Sequence, residues 1–144
     1  MKQVNRILVP TDFSPAADYA MECAKVLASA NNATIFLLFV DDEPLLNAPT
    51  TSQAYRDKYE DEMALKFDGL FSRKERERYD VHFAVKNGDV TNEVLDYVDA
   101  NDIDLIVIGT HGHSAVMQVL LGSVAQKIMQ RSKIPVVSVR QPVE

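Results

Sequence analysis

Short apolar runs alternate with longer amphipathic stretches from one end of the chain to the other. Such alternation predicts strand–helix units wound around a parallel sheet. Five runs read as strands, at residues 6–10, 34–40, 80–85, 105–109 and 136–140. Three of them, ILV, IFLLFV and LIVI, are apolar without alternation. A strand reads that way when helices cover both faces of its sheet and neither side meets water.

The first helix has clear end signals. Ser14 suits the N-cap, and Pro15 suits the first helical position, where no backbone N–H is needed. Asp18, Glu22, Lys25 and Ser29 then recur as a polar stripe. Ala17, Ala20, Ala24, Leu27 and Ala28 fill the opposite side, small enough for close packing on a sheet. Asn31-Asn32 supplies a left-handed stop. Residues 41–51 carry two prolines and read as a loop. One charged helix is expected over residues 52–78, with Tyr59, Met63, Phe67 and Leu70 as its buried stripe. Asn87-Gly88-Asp89 reads as a turn and N-cap before a short helix through Val94, Leu95 and Val98. The last helix is expected to open at Gly122-Ser123-Val124, with Leu121, Val124, Ala125 and Ile128 on one face, and to end near Ser132. With no repeat or linker visible, residues 1–144 are expected to form one domain of α/β class. In such sheets ligands bind at the carboxyl ends of the strands, where strand order reverses. The first and fourth strands are the ones followed by unusual chemistry.

Composition narrows the function classes. Twenty-one acidic against fifteen basic residues give a net charge of −6, which points away from nucleic acid, whose phosphates demand a basic surface. The cluster Arg73-Lys74-Glu75-Arg76-Glu77-Arg78 alternates with glutamate and reads as a solvated helix end. The single cysteine, Cys23, allows no intrachain disulfide and reads as a packed thiol. With no run long enough to span a bilayer, and no signal-type start, no membrane association and a reducing cytoplasm are the expectations.

After the fourth strand the chain reads Gly109-Thr110-His111-Gly112-His113-Ser114, then a mostly apolar stretch, then Gly122-Ser123-Val124. The spacing is G-x-x-G-x9-G-S. Glycines at a strand end let the main chain turn tightly and approach a ligand. A helix N-terminus offers unpaired N–H groups and a positive dipole end to an anion. Together these describe a phosphate cradle, although a strand-end glycine and a Gly-Ser cap are each common as architecture. The pattern is neither a Walker loop nor GxGxxG. After the first strand comes Pro10-Thr11-Asp12-Phe13-Ser14. Asp12 has two readings here, a ligand for ribose hydroxyls or a metal, and a turn residue capping the first helix. His111 and His113 read as loop histidines near phosphates, because the remaining histidine, His82, sits on the third strand.

These residues resemble the universal stress protein family along nearly the whole chain. The resemblance rests on Arg6 through Ser14, Asp102 through Gly112, Gly122-Ser123-Val124 and Pro135 through Val139. The complete glycine spacing resembles the family's ATP-binding branch. The resemblance implies a three-layer, Rossmann-like fold of the adenine nucleotide alpha hydrolase type, with five parallel strands in the order 3-2-1-4-5. It implies that Pro10, Thr11 and Asp12 lie along the adenosine, and that Val40 offers an apolar wall to adenine. Gly109 and Gly112 would border the ribose and first phosphates, with His113 beside them. Gly122, Ser123 and Val124 would hold the phosphate tail. ATP is the expected cofactor, with AMP or ADP as alternatives and Mg²⁺ as companion. It further implies a homodimer through the C-terminal strand, where Val136, Val137 and Val139 form an apolar edge. The function expected is a nucleotide-dependent regulator of a protein partner in stress response. Two alternatives stand beside it: a slow ATPase or phosphoryl-transfer enzyme, and a nucleotide-free dimeric interaction module. No catalytic residue stands out, since the glycine loop holds no lysine or arginine to stabilise a transferring phosphoryl group.

Overall fold

The uninterrupted apolar strands demand a sheet covered on both faces, and the computed structural model has that arrangement. It describes residues 3–42, 51–110 and 115–142, of which 115–121 are described in backbone only. The elements are β1 (Arg6–Pro10), α1 (Pro15–Asn31), β2 (Thr34–Asp41), α2 (Gln53–Asp68), α3 (Arg73–Arg78), β3 (Val81–Asn87), α4 (Val90–Ala100), β4 (Leu105–Thr110), α5 (Ala115–Arg131) and β5 (Val136–Arg140). The five strands run parallel in the order β3-β2-β1-β4-β5.

Side chains alternate across the strands and divide the core in two. Ile7, Val9, Ile35, Leu37 and Val107 pack with Ala20, Met21 and Ala24 of α1 and Met63 and Phe67 of α2. Leu8, Phe36, Leu38, Ile106 and Ile108 pack on the other face with Val94 and Val98 of α4 and Ala125 and Ile128 of α5. Burying a side chain as large as Phe67 contributes about 1.5–3 kcal/mol.

Helix α1 has the expected ends. Ser14 accepts a hydrogen bond from the Ala17 N–H, Pro15 follows it, and Asn32 stops the helix at φ 53°. Lys25 departs from the expected polar stripe, because it is buried. Its ammonium lies 3.1 Å from Glu22 and 2.8 Å from Glu75, donates to the Leu70 carbonyl at 3.0 Å and sits over the Phe71 ring. Burial pulls its pKa down, but the hydrogen bonds to Glu75 and Glu22 outweigh that and leave it raised.

The single helix expected over residues 52–78 is two helices. Gly69 ends α2, and Ser72 starts α3 by a capping box in which Ser72 and Glu75 satisfy each other's backbone N–H. The break turns Phe71 into the core and brings Glu75 to Lys25. Of the expected stripe, Met63 and Phe67 are buried, whereas Tyr59 and Leu70 are half-buried. Strand β3 begins one residue later and ends two later than expected, since its pairing with β2 continues to Asp41↔Asn87.

The last helix also differs. It begins at Ala115, so Gly122 and Ser123 lie inside it and do not open it. The stretch Ala115 through Leu121 is rich in Ala, Met, Gln and Leu, which favour helix and carry α5 through the glycine.

Candidate functional site

Strand order reverses at β1, whose neighbours β2 and β4 are reached by connections on opposite faces of the sheet. A crevice at the carboxyl ends follows from that geometry. The structure has a cavity of about 290 Å³ there, walled by Pro10, Thr11 and Asp12 of the β1 end, Leu38 through Asp42 of the β2 end, Val90, Ile108 and Val124. Five expected site residues therefore meet in one place: Pro10, Thr11, Asp12, Val40 and Val124.

The turn after β1 is tightly specified. The Thr11 N–H donates to the Leu38 carbonyl at 2.9 Å, which ties the turn to β2. The Thr11 hydroxyl accepts from the Phe13 N–H, and Asp12 Oδ1 accepts from the Ser14 N–H, both at 3.0 Å. Between them Phe13 holds φ at 62°, a left-handed conformation that costs a residue with a side chain about 1–2 kcal/mol. Its ring, 5.3 Å from those of Phe39 and Phe67, helps hold the conformation. Asp12 is thus the turn acceptor that one reading of the sequence expected, and it also walls the cavity.

Asp41 joins the rim to two neighbours. Its carbonyl accepts from the Gly88 N–H at 2.9 Å, and its carboxylate accepts from the Tyr59 hydroxyl of α2. Burial, then the Asp41 carboxylate, pushes the Tyr59 phenol well above its ordinary range. Burial, then Asp12 and Glu22, raises Asp18. The β2 end thus adds Asp41 and Asp42 to the acidic side of the site. The sequence signalled them only as an acidic pair after an apolar run; Leu38 and Ile108 follow from the alternation that puts them on the same face as Val40 and Val124.

The glycines separate. A Cβ added at Gly109 would run into the Ala16 carbonyl and come within 3.2 Å of the Ala17 nitrogen. Gly109 is thus required where α1 crosses β4, and it does not wall the cavity. A Cβ at Gly122 would meet nothing within 4 Å. A mid-helix glycine costs about 1 kcal/mol relative to alanine, and packing among the described residues does not account for it. Ser123 is exposed, beside the cavity residue Val124. Because α5 starts seven residues earlier than Gly122, helix-end N–H groups are not what Gly122 and Ser123 offer in this conformation. Gly112 and His113, with His111, lie outside the described residues. His82 stacks on Phe36 at 5.1 Å, on a strand remote from the glycine loop.

Among the described residues no group of three or more His, Cys, Asp or Glu side chains could hold a metal ion, and no helix is long and apolar enough to cross a membrane.

The universal stress protein family model matches residues 3–140. Universal stress protein MJ0577 of Methanocaldococcus jannaschii is 28% identical over 153 aligned residues that span 94% of each chain. Universal stress protein YxiE of Bacillus subtilis is 27% identical, over 94% of this chain and 99% of that one. A solved structure of MJ0577 superposes with a TM-score of 0.81 at 26% identity, covering 99% of this chain and all of that one. Two further structures share the fold: a universal stress protein in complex with cAMP (TM-score 0.66, 20% identity, 96% of this chain and 98% of that one) and one from Archaeoglobus fulgidus in complex with dAMP (0.65, 16%, 95% and 98%). The switch-point crevice, the strand order and a family match over nearly the whole length agree: the chain belongs to the universal stress protein family.

Proposed function

We propose that the chain binds an adenine nucleotide in the switch-point cavity and acts as a nucleotide-dependent regulator in stress response. The observation that carries this reading is the meeting of Pro10, Thr11, Asp12, Val40 and Val124 around one mostly apolar cavity. Its volume of about 290 Å³ stands at the lower end of small-molecule sites, enough for a base and sugar with the phosphates outside. Leu38, Val40, Val90 and Ile108 suit the faces of adenine. Asp12 suits the donors of a ribose. The phosphates then run toward Ser123 and the open side of Gly122. Family members in complex with cAMP and dAMP support the adenine nucleotide class. ATP is the proposed ligand, with AMP and ADP as alternatives. Mg²⁺ would be held by the phosphates and water, as this ion prefers, with at most one carboxylate from the rim.

Regulation is proposed over turnover because the carboxylates of the described cavity wall lie at the β1–β2 end, away from the phosphate path toward Ser123, and leave no wall residue there to position a nucleophile. The acting unit is proposed to be a cytoplasmic homodimer through β5, an edge strand whose Val137 is exposed. A protein partner would read its occupied state. Mass spectrometry of whatever the purified protein releases on denaturation tests the ligand, together with calorimetry using Mg²⁺-ATP. Adenine nucleotide in the released fraction, or saturable binding, is expected. Neither result being obtained would overturn the reading.

A further inference from the structure

The charges at the carboxyl edge of the sheet are unevenly placed. Asp12, Asp41 and Asp42 crowd the β1–β2 end of the cavity. Carboxylates accept from ribose hydroxyls and the adenine amine, but they repel a polyphosphate tail. A nucleotide seated here therefore extends its phosphates the other way, across β4 toward α5, and needs a cation there.

Strand β5 supplies one. Its pairing with β4 sets Ile108 beside Ser138 and Thr110 beside Arg140. Val136 packs on the α4–α5 face and Val139 on the α1 face, so alternation puts Arg140 on the α4–α5 face with the cavity residues Ile108 and Val124. Arg140 is exposed, and no hydrogen bond or ion pair engages its guanidinium among the described residues. Neighbouring strands lie about 4.8 Å apart, a gap that an extended arginine side chain crosses. Lys127, the nearest cation in sequence to Ser123, sits one helical turn further from the carboxyl edge, about 5.4 Å along α5. Lys86 lies at the opposite side, paired with Val40 beside the acidic end.

We propose that Arg140 is the phosphate-tail ligand of this site and makes it prefer nucleotides with more phosphates. The inference rests on the nucleotide reading above and adds a residue and a selectivity to it. A guanidinium donates in a fixed fork that matches phosphate oxygens, so its contribution grows from adenosine to ATP. Nothing covalent is involved.

The test is calorimetric titration of wild-type, R140Q, R140K and K86Q proteins with ATP and with adenosine, at two salt concentrations. R140Q is expected to weaken ATP binding about tenfold and adenosine less than about twofold, with a shallower salt dependence. R140K is expected to recover part of the ATP affinity. K86Q removes the same charge from the opposite edge and is expected to change the ratio of the two affinities by less than about twofold. An unmoved ATP affinity in R140Q, an equal loss of both ligands, or an equal effect of K86Q would each overturn the role of Arg140. Wild-type protein that binds neither ligand overturns the nucleotide reading itself, and the two failures are thereby told apart.

Discussion

Gly109→Ala separates architecture from ligand contact. The added methyl group would enter the Ala16 carbonyl of α1, and that obstacle is backbone, unable to rotate away as a side chain would. Over-packing of this kind costs about 1–3 kcal/mol, and a main-chain obstacle places this case at about 2–3. Gly109 does not have positive φ, so alanine fits its backbone and gains about 0.4–1 kcal/mol by restricting the unfolded chain. The net loss expected is about 1–2.6 kcal/mol. For 144 residues the unfolding entropy is about 0.3 kcal/mol per kelvin, so the melting temperature should fall by about 3–9 °C. The assay is thermal unfolding of ligand-free protein by circular dichroism, paired with calorimetry of ATP binding on the folded variant. An unchanged melting temperature together with abolished nucleotide binding would refute the reasoning, and would make Gly109 a ligand-approach glycine.

The companion change, Gly122→Ala, should act in the opposite sense: about 1 kcal/mol of added helix stability in ligand-free protein, with weaker ATP binding if the open side of Gly122 receives phosphate. Equal ATP affinity for wild type and variant would remove Gly122 from the site. Lys25→Met leaves the Leu70 carbonyl without its donor and should cost about 1–3 kcal/mol in chemical denaturation. The pair it breaks also has a pH signature. Glu75 is held below its ordinary value of 4.5, mainly by the Lys25 hydrogen bond, so its contribution is present above that value and is lost as pH falls through the lowered one. Lys25 is raised above 10.5, so its contribution is full below 10.5 and is lost as pH climbs through the raised value. Compared with wild type, the stability–pH profile of the variant should lose less stability on both flanks, and flanks unchanged from wild type would contradict the pairing. Tyr59→Phe removes the hydroxyl that donates to Asp41 and should destabilise the protein by about 1.5–3 kcal/mol, the range for a charged acceptor. In wild type the raised Tyr59 pKa means the phenol stays protonated in the folded state while the unfolded one ionises above about 10, so stability falls with rising pH there. Alkaline difference absorbance should show the same number of tyrosines titrating before unfolding in wild type and in Tyr59→Phe, and one fewer in the variant would refute the Tyr59–Asp41 contact.

Helix α1 was legible in detail because its signals are local: Ser14 caps it, Pro15 starts it, and Asn32 stops it in the left-handed conformation. The strand runs were legible because double burial leaves no polar positions, as in Ile35 through Leu38. The break between α2 and α3 was local too, written in Gly69 and in the Ser72–Glu75 box, but the charged stretch around it has helical composition throughout and hides the interruption. Lys25 was read as solvent-facing because its partners lie on another element; Glu75 reaches it only after the chain has turned at Leu70 and Phe71.

Local sequence by itself determined the strands, the Ser14 and Asp89 caps and the apolar runs, since propensity, capping and side-chain period act over a few residues. The glycine spacing and the Pro10-Thr11-Asp12 turn were visible the same way, as chemistry without an address. Tertiary structure alone decided which of these residues share a cavity, because β1, β2 and β4 become neighbours only through the parallel pairing of distant segments. It also decided that Gly109 belongs to a helix crossing, since a Cβ collides there only once α1 packs down. The placement of Asp41 and Arg140 on opposite sides of the site has the same origin: pairing between strands fixes distances that sequence separation does not.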